Sequence, residues 1–217
     1  SGTTAINTST ITTSGTQTYT GAVTVNTALT LSASGITTGS TMAASANALT
    51  LTTDAIALGG NVSGTGALII QPKTDTITIG VGSSASGSLS LSDTELGYLQ
   101  DGFSSITIGS TTGTGAVAIN YAGSYTFTDP LTIRSKATSG GGAISATDAL
   151  NTGSNSLTIT TFGAVSLVSV TSGALAVTGN GITLNADVTT SGAQSYTGAV
   201  TLGASITLAS TGASSTG

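Results

Sequence analysis

One motif limits how this chain can fold: an Ile, Leu or Val, a single spacer residue, then another Ile, Leu or Val. With Thr, Ser, Ala or Ile as the spacer it occurs seventeen times, from Val23–Val25 to Ile206–Leu208, and that spacer is most often Thr. Period-two alternation marks a strand that buries one face. The strands must be very short, because corner-forming residues follow at once: Asn26, Gly80, Gly109 and Asn185. Hairpins of three-residue strands would leave most backbone groups unpaired. Parallel stacking removes that difficulty, since each strand pairs with its equivalent one coil above and one below. Some triplets recur after six or seven positions, others after thirteen (Leu131, Ile144, Leu157). That irregularity argues against a strict left-handed hexapeptide helix. The spacing predicts an all-β, right-handed parallel β-helix (β-solenoid) as a single unit over 1–217. At roughly 20–23 residues per coil it would have roughly ten coils. Outer triplet residues (Val23, Val25, Ile77, Ile79, Ile182, Leu184) should point inward and the spacer outward.

Composition narrows the chemistry. Thr, Ser, Gly and Ala together supply well over half of the 217 residues. There is no His, Cys or Trp, and charge is confined to three Lys or Arg and eight Asp or Glu. Ser-His-Asp and Cys-His catalysis, the usual zinc sites, haem and iron–sulfur ligation are thereby excluded. Three basic side chains cannot neutralise a run of phosphates, so nucleic acid is not an expected partner. No apolar run approaches the roughly 20 residues that a membrane-spanning helix needs, so none is expected. No cofactor, metal site or catalytic residue is assigned from the sequence.

The chain repeats itself. Thr12–Val25 (TTSGTQTYTGAVTV) returns as Thr189–Leu202 (TTSGAQSYTGAVTL), and Ala28–Gly35 as Ser205–Gly212. The numbering offset is 177 throughout, so that 1–35 matches 178–212. At the assumed coil length this spans about eight coils, or on the order of 40 Å of axis. One stretch breaks the pattern. SDTELGYLQDG (Ser92–Gly102) holds three of the eight acids and no triplet. Ser92 and Glu95 have capping-box spacing and Gly102 could end a short helix. A small helical or loop excursion is expected near 92–102, with Leu96 and Leu99 packed back. No charged residue precedes Asp54 and none follows Asp187. The ends therefore lack the charged caps of most solenoids. The chain reads as a slice of something longer, stacking axially with further copies of the repeat, covalently or not.

The segments TTAINTSTITTSGTQTYTGAVTV and DVTTSGAQSYTGAVTLGASITL resemble repeats of filamentous-haemagglutinin type, found in giant secreted bacterial adhesins. LSDTELGYLQDGFSSITIG resembles a segment of similar surface proteins. The resemblance covers one stretch at each end and a shorter one in the middle. It implies a right-handed parallel β-helix and an extracellular stalk at the bacterial cell surface. It also implies a role in attachment, biofilm or cell–cell contact, with glycans or a host surface as partners.

Few side chains are candidates for binding. Tyr19 and Tyr196 occupy equivalent repeat positions, and with Tyr98 they could stack on a sugar, although a tyrosine capping the core near a corner is the commoner case. Asp93 and Glu95 stand two apart, close enough for a carboxylate pair of the kind that cleaves glycosides, although a solvated helix start is much the commoner case. Arg134 and Lys136 are similar to the basic pair of some pectin-cleaving β-helices, but the His those enzymes usually need is missing. Asp54, Asp75, Asp129, Asp148 and Asp187 are scattered singly, as corner residues would be. Thr-x-Thr units at Thr16, Thr18 and Thr20, and at Thr74, Thr76 and Thr78, raise an ice-binding solenoid as an alternative. Those occurrences do not recur at a coil length. A polysaccharide-binding or polysaccharide-cleaving β-helix is the second alternative.

Overall fold

The computed structural model describes residues 2–212. It is an all-β parallel solenoid of about ten turns with almost no helix. Each turn contributes short strands to three stacks. The long stack runs without interruption through Thr10–Thr12, Leu29–Ala33, Leu49–Thr53, Ala67–Gln71, Ser105–Gly109, Leu131–Arg134 and Leu157–Thr160. It ends on the first halves of Leu175–Leu184 and Gln194–Leu202. A second stack begins with Thr16–Tyr19, Gly35–Thr38 and Ile56–Leu58. It continues through Val117–Ile119, Ile144–Ala146, Ala164–Leu167 and the second halves of the same two long strands. The third stack holds Thr4–Ile6, Val23–Val25, Met42–Ala43 and Val62–Ser63, then Leu150–Asn151, Val170–Ser172, Val188–Thr190 and Leu208–Ser210. Every pairing between these strands is parallel and in register, apart from one irregularity between Thr178 and Gly181.

The triplets work as their alternation predicts. Val23, Val25, Ile182 and Leu184 are buried and form one core with Leu31, Leu51, Ile70, Ile108 and Ile133. Each such side chain removed from water contributes about 1.5–3 kcal/mol. At the C-terminal edge the outer residues Val200, Leu202 and Leu208 are exposed, Ile56 and Ile206 are only half-buried, and two further triplets depart from the pattern. Ile77 is only half-buried, because the strand there is Ile79–Val81 and Ile79 and Val81 are its inward residues. Val168 turns the corner between Ala164–Leu167 and Val170–Ser172, so only Val170 of its triplet lies in a strand.

The excursion is larger than the predicted 92–102. Along the long stack, Leu49 pairs with Leu68, but Leu68 pairs with Ile106, twice as far along the chain. The extra chain inserts a strand into the second stack out of sequence order. Leu89–Leu91 pairs with Ile79–Val81, which in turn pairs with Val117–Ile119. Parallel neighbours usually need a crossover of a dozen or more residues; here Gly82–Ser88 suffices. The link folds over the outer side of Ile79–Val81, where Gly80 has no side chain to obstruct it. A Cβ at Gly87 would run into the backbone nitrogen of Gly80, and Gly82 has φ +102°.

Next comes the helix Asp93–Gly97, with both halves of the Ser92/Glu95 capping box formed. Leu96 and Leu99 are buried. The helix ends at Tyr98, not near Gly102. The Tyr98 carbonyl accepts from Val62 N–H at 2.8 Å, which returns the chain to the third stack. Gly102 (φ +122°) makes a separate turn.

The long internal repeat is out of phase with the coil. Gln17–Tyr19 lies in the second stack, while its counterpart Gln194–Tyr196 lies in the long stack. Likewise Ile11 pairs with Leu31 in the long stack, and the equivalent Val188 pairs with Leu208 in the third. From Thr10–Thr12 to Gln194–Leu202 the long stack climbs eight hydrogen-bonded steps. Val188–Thr190, which carries the repeat equivalents of Ile11 and Thr12, comes one stack earlier. The offset is therefore seven coils and two of three stacks, not the eight coils expected.

Candidate functional site

The three tyrosines singled out from the sequence fall in different places. Tyr19 and Tyr196 are both half-buried, with rings against the core. Each hydroxyl donates to the side-chain oxygen of a glutamine two residues earlier: Tyr19 to Gln17 at 3.0 Å, Tyr196 to Gln194 at 2.9 Å. The glutamines are what sequence reasoning missed. Gln17 is buried, and its Nε2 donates to the carbonyls of Ile11 (3.0 Å) and Ser32 (3.1 Å). Gln194 Nε2 faces Val188 (3.5 Å) and Ala209 (2.9 Å), at the same offsets of six residues back and fifteen forward. The signal was available, since Gln precedes Tyr by two in both repeat copies. Burial raises the pKa of Tyr19 and Tyr196. Tyr98 packs half-buried at the helix end. The phase shift puts Tyr19 and Tyr196 on different stacks, so the pair does not line one surface.

The acids have a shared task. Seven of the eight accept hydrogen bonds that tie one segment of coil to another. Asp54 accepts from Lys73 N–H (2.9 Å), Thr74 N–H (2.7 Å) and the Thr74 hydroxyl (2.7 Å). Asp187 accepts from Thr207 N–H at 2.8 Å, and Asp75 from the Thr112 hydroxyl at 2.7 Å. Asp148 accepts from Tyr121 N–H at 2.6 Å, and Asp129 from Gly102 N–H at 3.0 Å. Carboxylates suit this work because short corners leave N–H groups outside any ladder.

Asp93 and Glu95 are used in the same way. Asp93 holds Ser83 N–H (2.9 Å) with one oxygen and Ala122 N–H (2.8 Å) with the other. Glu95 accepts from Leu58 N–H (2.9 Å) and Ser92 N–H (2.9 Å), joining the helix to the edge of Ile56–Leu58. Arg134 is on the long stack, where its Nε donates to the Gly109 carbonyl at 3.3 Å. The structure does not bring it to the two carboxylates. Among the described residues there is no pocket and no group of three or more potential metal ligands.

The coil between Ser105–Gly109 and Leu131–Arg134 carries a cluster of aromatics. Tyr125 and Phe127 meet edge to face with centroids 4.8 Å apart, and Tyr121 lies 6.0 Å from Tyr125. Tyr125 donates to the Leu96 carbonyl at 2.6 Å. Burial, then the charge of Asp129, pushes its pKa up to about 12.

The long stack also carries an ordered polar surface. Its outward positions in one column are Thr10, Thr30, Thr50, Ile69, Thr107, Thr132, Thr158, Ala176 and Ser195. The adjacent column holds Thr12, Ser32, Thr52 and Gln71, and farther along Arg134, Thr160, Thr178 and Thr197. A threonine ladder at coil spacing therefore exists, formed by threonines that the sequence reading did not single out. It is not built from the Thr-x-Thr units first picked out. Thr16 and Thr18 are in the second stack, and Thr74, Thr76 and Thr78 precede a strand.

Comparison with known protein families, with curated proteins and with solved structures finds no match. The class is defined by the fold: a parallel β-solenoid repeat protein. No helix among the described residues is long and apolar enough to cross a membrane.

Proposed function

We propose that this chain is a structural segment of an extracellular bacterial fibre or adhesin stalk, with no catalytic role. The observation that carries the reading is the use of the polar side chains. Carboxylates and the amides of Gln17 and Gln194 are committed to holding coil to coil, and the Tyr19 and Tyr196 hydroxyls fix those amides. The uninterrupted long stack supports a rigid rod, and the internal repeat supports growth of that rod by reiteration. Attachment to glycans or a host surface would then belong to the larger object. Chains carrying several superrepeats, viewed by electron microscopy, should be thin unbranched rods that lengthen in proportion to superrepeat number. Compact particles whose length does not follow repeat number would overturn the reading.

The threonine columns favour a second reading, an ice-binding surface on the long stack. It predicts thermal hysteresis that falls when Thr30 and Thr50 are both changed to Tyr. Absence of hysteresis in the unmodified chain would remove it.

A further inference from the structure

Val200, Leu202 and Leu208 are 42, 52 and 46% exposed, whereas their repeat equivalents Val23, Val25 and Leu31 are 2, 0 and 0% exposed. In the first copy the next coil covers them: Val23 pairs with Met42 and Leu31 with Leu51. The chain thus contains the occupant that fits its own C-terminal edge. We propose that the edge formed by Gln194–Leu202 and Leu208–Ser210 is a strand-addition surface for a coil of the 36–58 pattern. That coil belongs to a further superrepeat in the same chain, and each added superrepeat is turned by one strand stack relative to the last. The proposal rests on the fibre reading and adds its geometry.

The turn follows from the phase of the repeat. Gly35–Thr38 pairs with Thr16–Tyr19 in the second stack, but the equivalent of Thr16–Tyr19 at the C-terminal edge belongs to the long stack. A second copy's Gly35–Thr38 would therefore continue the long stack. Its Leu49–Thr53 would continue the third stack, above Leu208–Ser210. Because the offset is two-thirds of a coil beyond seven, successive superrepeats advance about 37 Å along the axis at about 4.8 Å per coil. They rotate by about a third of a turn. The excursion, with exposed Asp101, would then project on three sides in succession, so a partner recognising it could approach the fibre from any direction.

The test joins residues 36–212 of a second copy after Gly212, in place of residues 213–217. The chain has no cysteine of its own, so pairs can be placed freely. Outward neighbours on adjacent parallel strands are within disulfide reach. Thr18 pairs with Thr37, and Ser195 is the repeat equivalent of Thr18. Ser195→Cys should therefore cross-link with Thr37→Cys of the second copy, and not with its Thr50→Cys. Cross-linking to position 50 instead would show stacking in phase and overturn the turn. Cross-linking to neither would overturn the stacking itself. Leu208→Asp separates the two failures independently. It should lower Tm by on the order of 10 °C in the two-superrepeat chain, where the residue is covered, and hardly at all in the single chain. Equal small shifts in both chains would mean the edge stays bare, and the fibre reading would fail with it.

Discussion

Gln17 and Tyr19 act as one unit. The amide bridges two coils through the carbonyls of Ile11 and Ser32, and the tyrosine hydroxyl fixes the amide's orientation. Gln17→Ala should cost about 1–3 kcal/mol, because a buried amide loses two hydrogen bonds to backbone carbonyls, although Ser32 keeps Thr13 N–H as a donor, while Tyr19→Phe, which removes a single bond, should cost about 1 kcal/mol. Chemical denaturation of the two variants checks the order, and a larger loss for Tyr19→Phe would contradict it. Asp129 gives a pH signature. It is buried, one of its carboxylate oxygens lacks a hydrogen-bond partner, and burial raises its pKa while Gly102 N–H partly offsets the rise. A raised carboxylate pKa means that the folded state prefers the protonated form. The penalty is absent below the unfolded value of about 3.9 and grows as pH rises through the folded one. Asp129→Asn should therefore gain stability relative to the parent chain as pH rises from about 3.9, as measured by Tm at a series of pH values. A constant difference across that range would remove Asp129 as its source. The corner placement of the single acids was legible in the sequence. Their individual partners were not, because each lies a coil or more away along the chain, beyond any local spacing rule.

At the scale of elements, the helix was legible because its determinants are local. Ser92 and Glu95 sit three apart and satisfy each other's end. Ser92→Ala should cost about 1 kcal/mol by loss of the cap. The out-of-order strand Leu89–Leu91 was not legible. Its triplet resembles every other, and only the neighbouring Ile79–Val81 determines where it goes. The shifted register at Ile77 has the same origin: alternation runs from Ile77 to Val81, and pairing with Leu89 and Leu91 selects the second half. The return loop depends on close approach at Gly87. Gly87→Val should destabilise by several kcal/mol, since the obstruction is backbone and cannot rotate away. A similar change at Gly123, whose Cβ position is open, should be tolerated. Thermal denaturation of the two variants decides, and equal tolerance would contradict the packed link.

For the whole molecule, the architecture was legible because a period of two, repeated seventeen times in very short runs, has few solutions. The phase of the superrepeat was not, since it depends on coil lengths that vary with each corner. Along the long stack Leu175 follows its partner Leu157 much sooner than Leu131 follows Ile106 or Leu157 follows Leu131. The orientation of the triplets has a direct consequence at mid-stack. Ile133→Asp places a charge among fully buried neighbours and should abolish cooperative folding, whereas Thr132→Asp on the outer side should change stability by less than about 1 kcal/mol. In the fibre proposed above, the strand-stacking direction is the long axis. X-ray diffraction from aligned rods of a multi-superrepeat chain tests it directly. A reflection at about 4.8 Å along the fibre axis is expected. The same spacing found perpendicular to that axis, or absent, would contradict it.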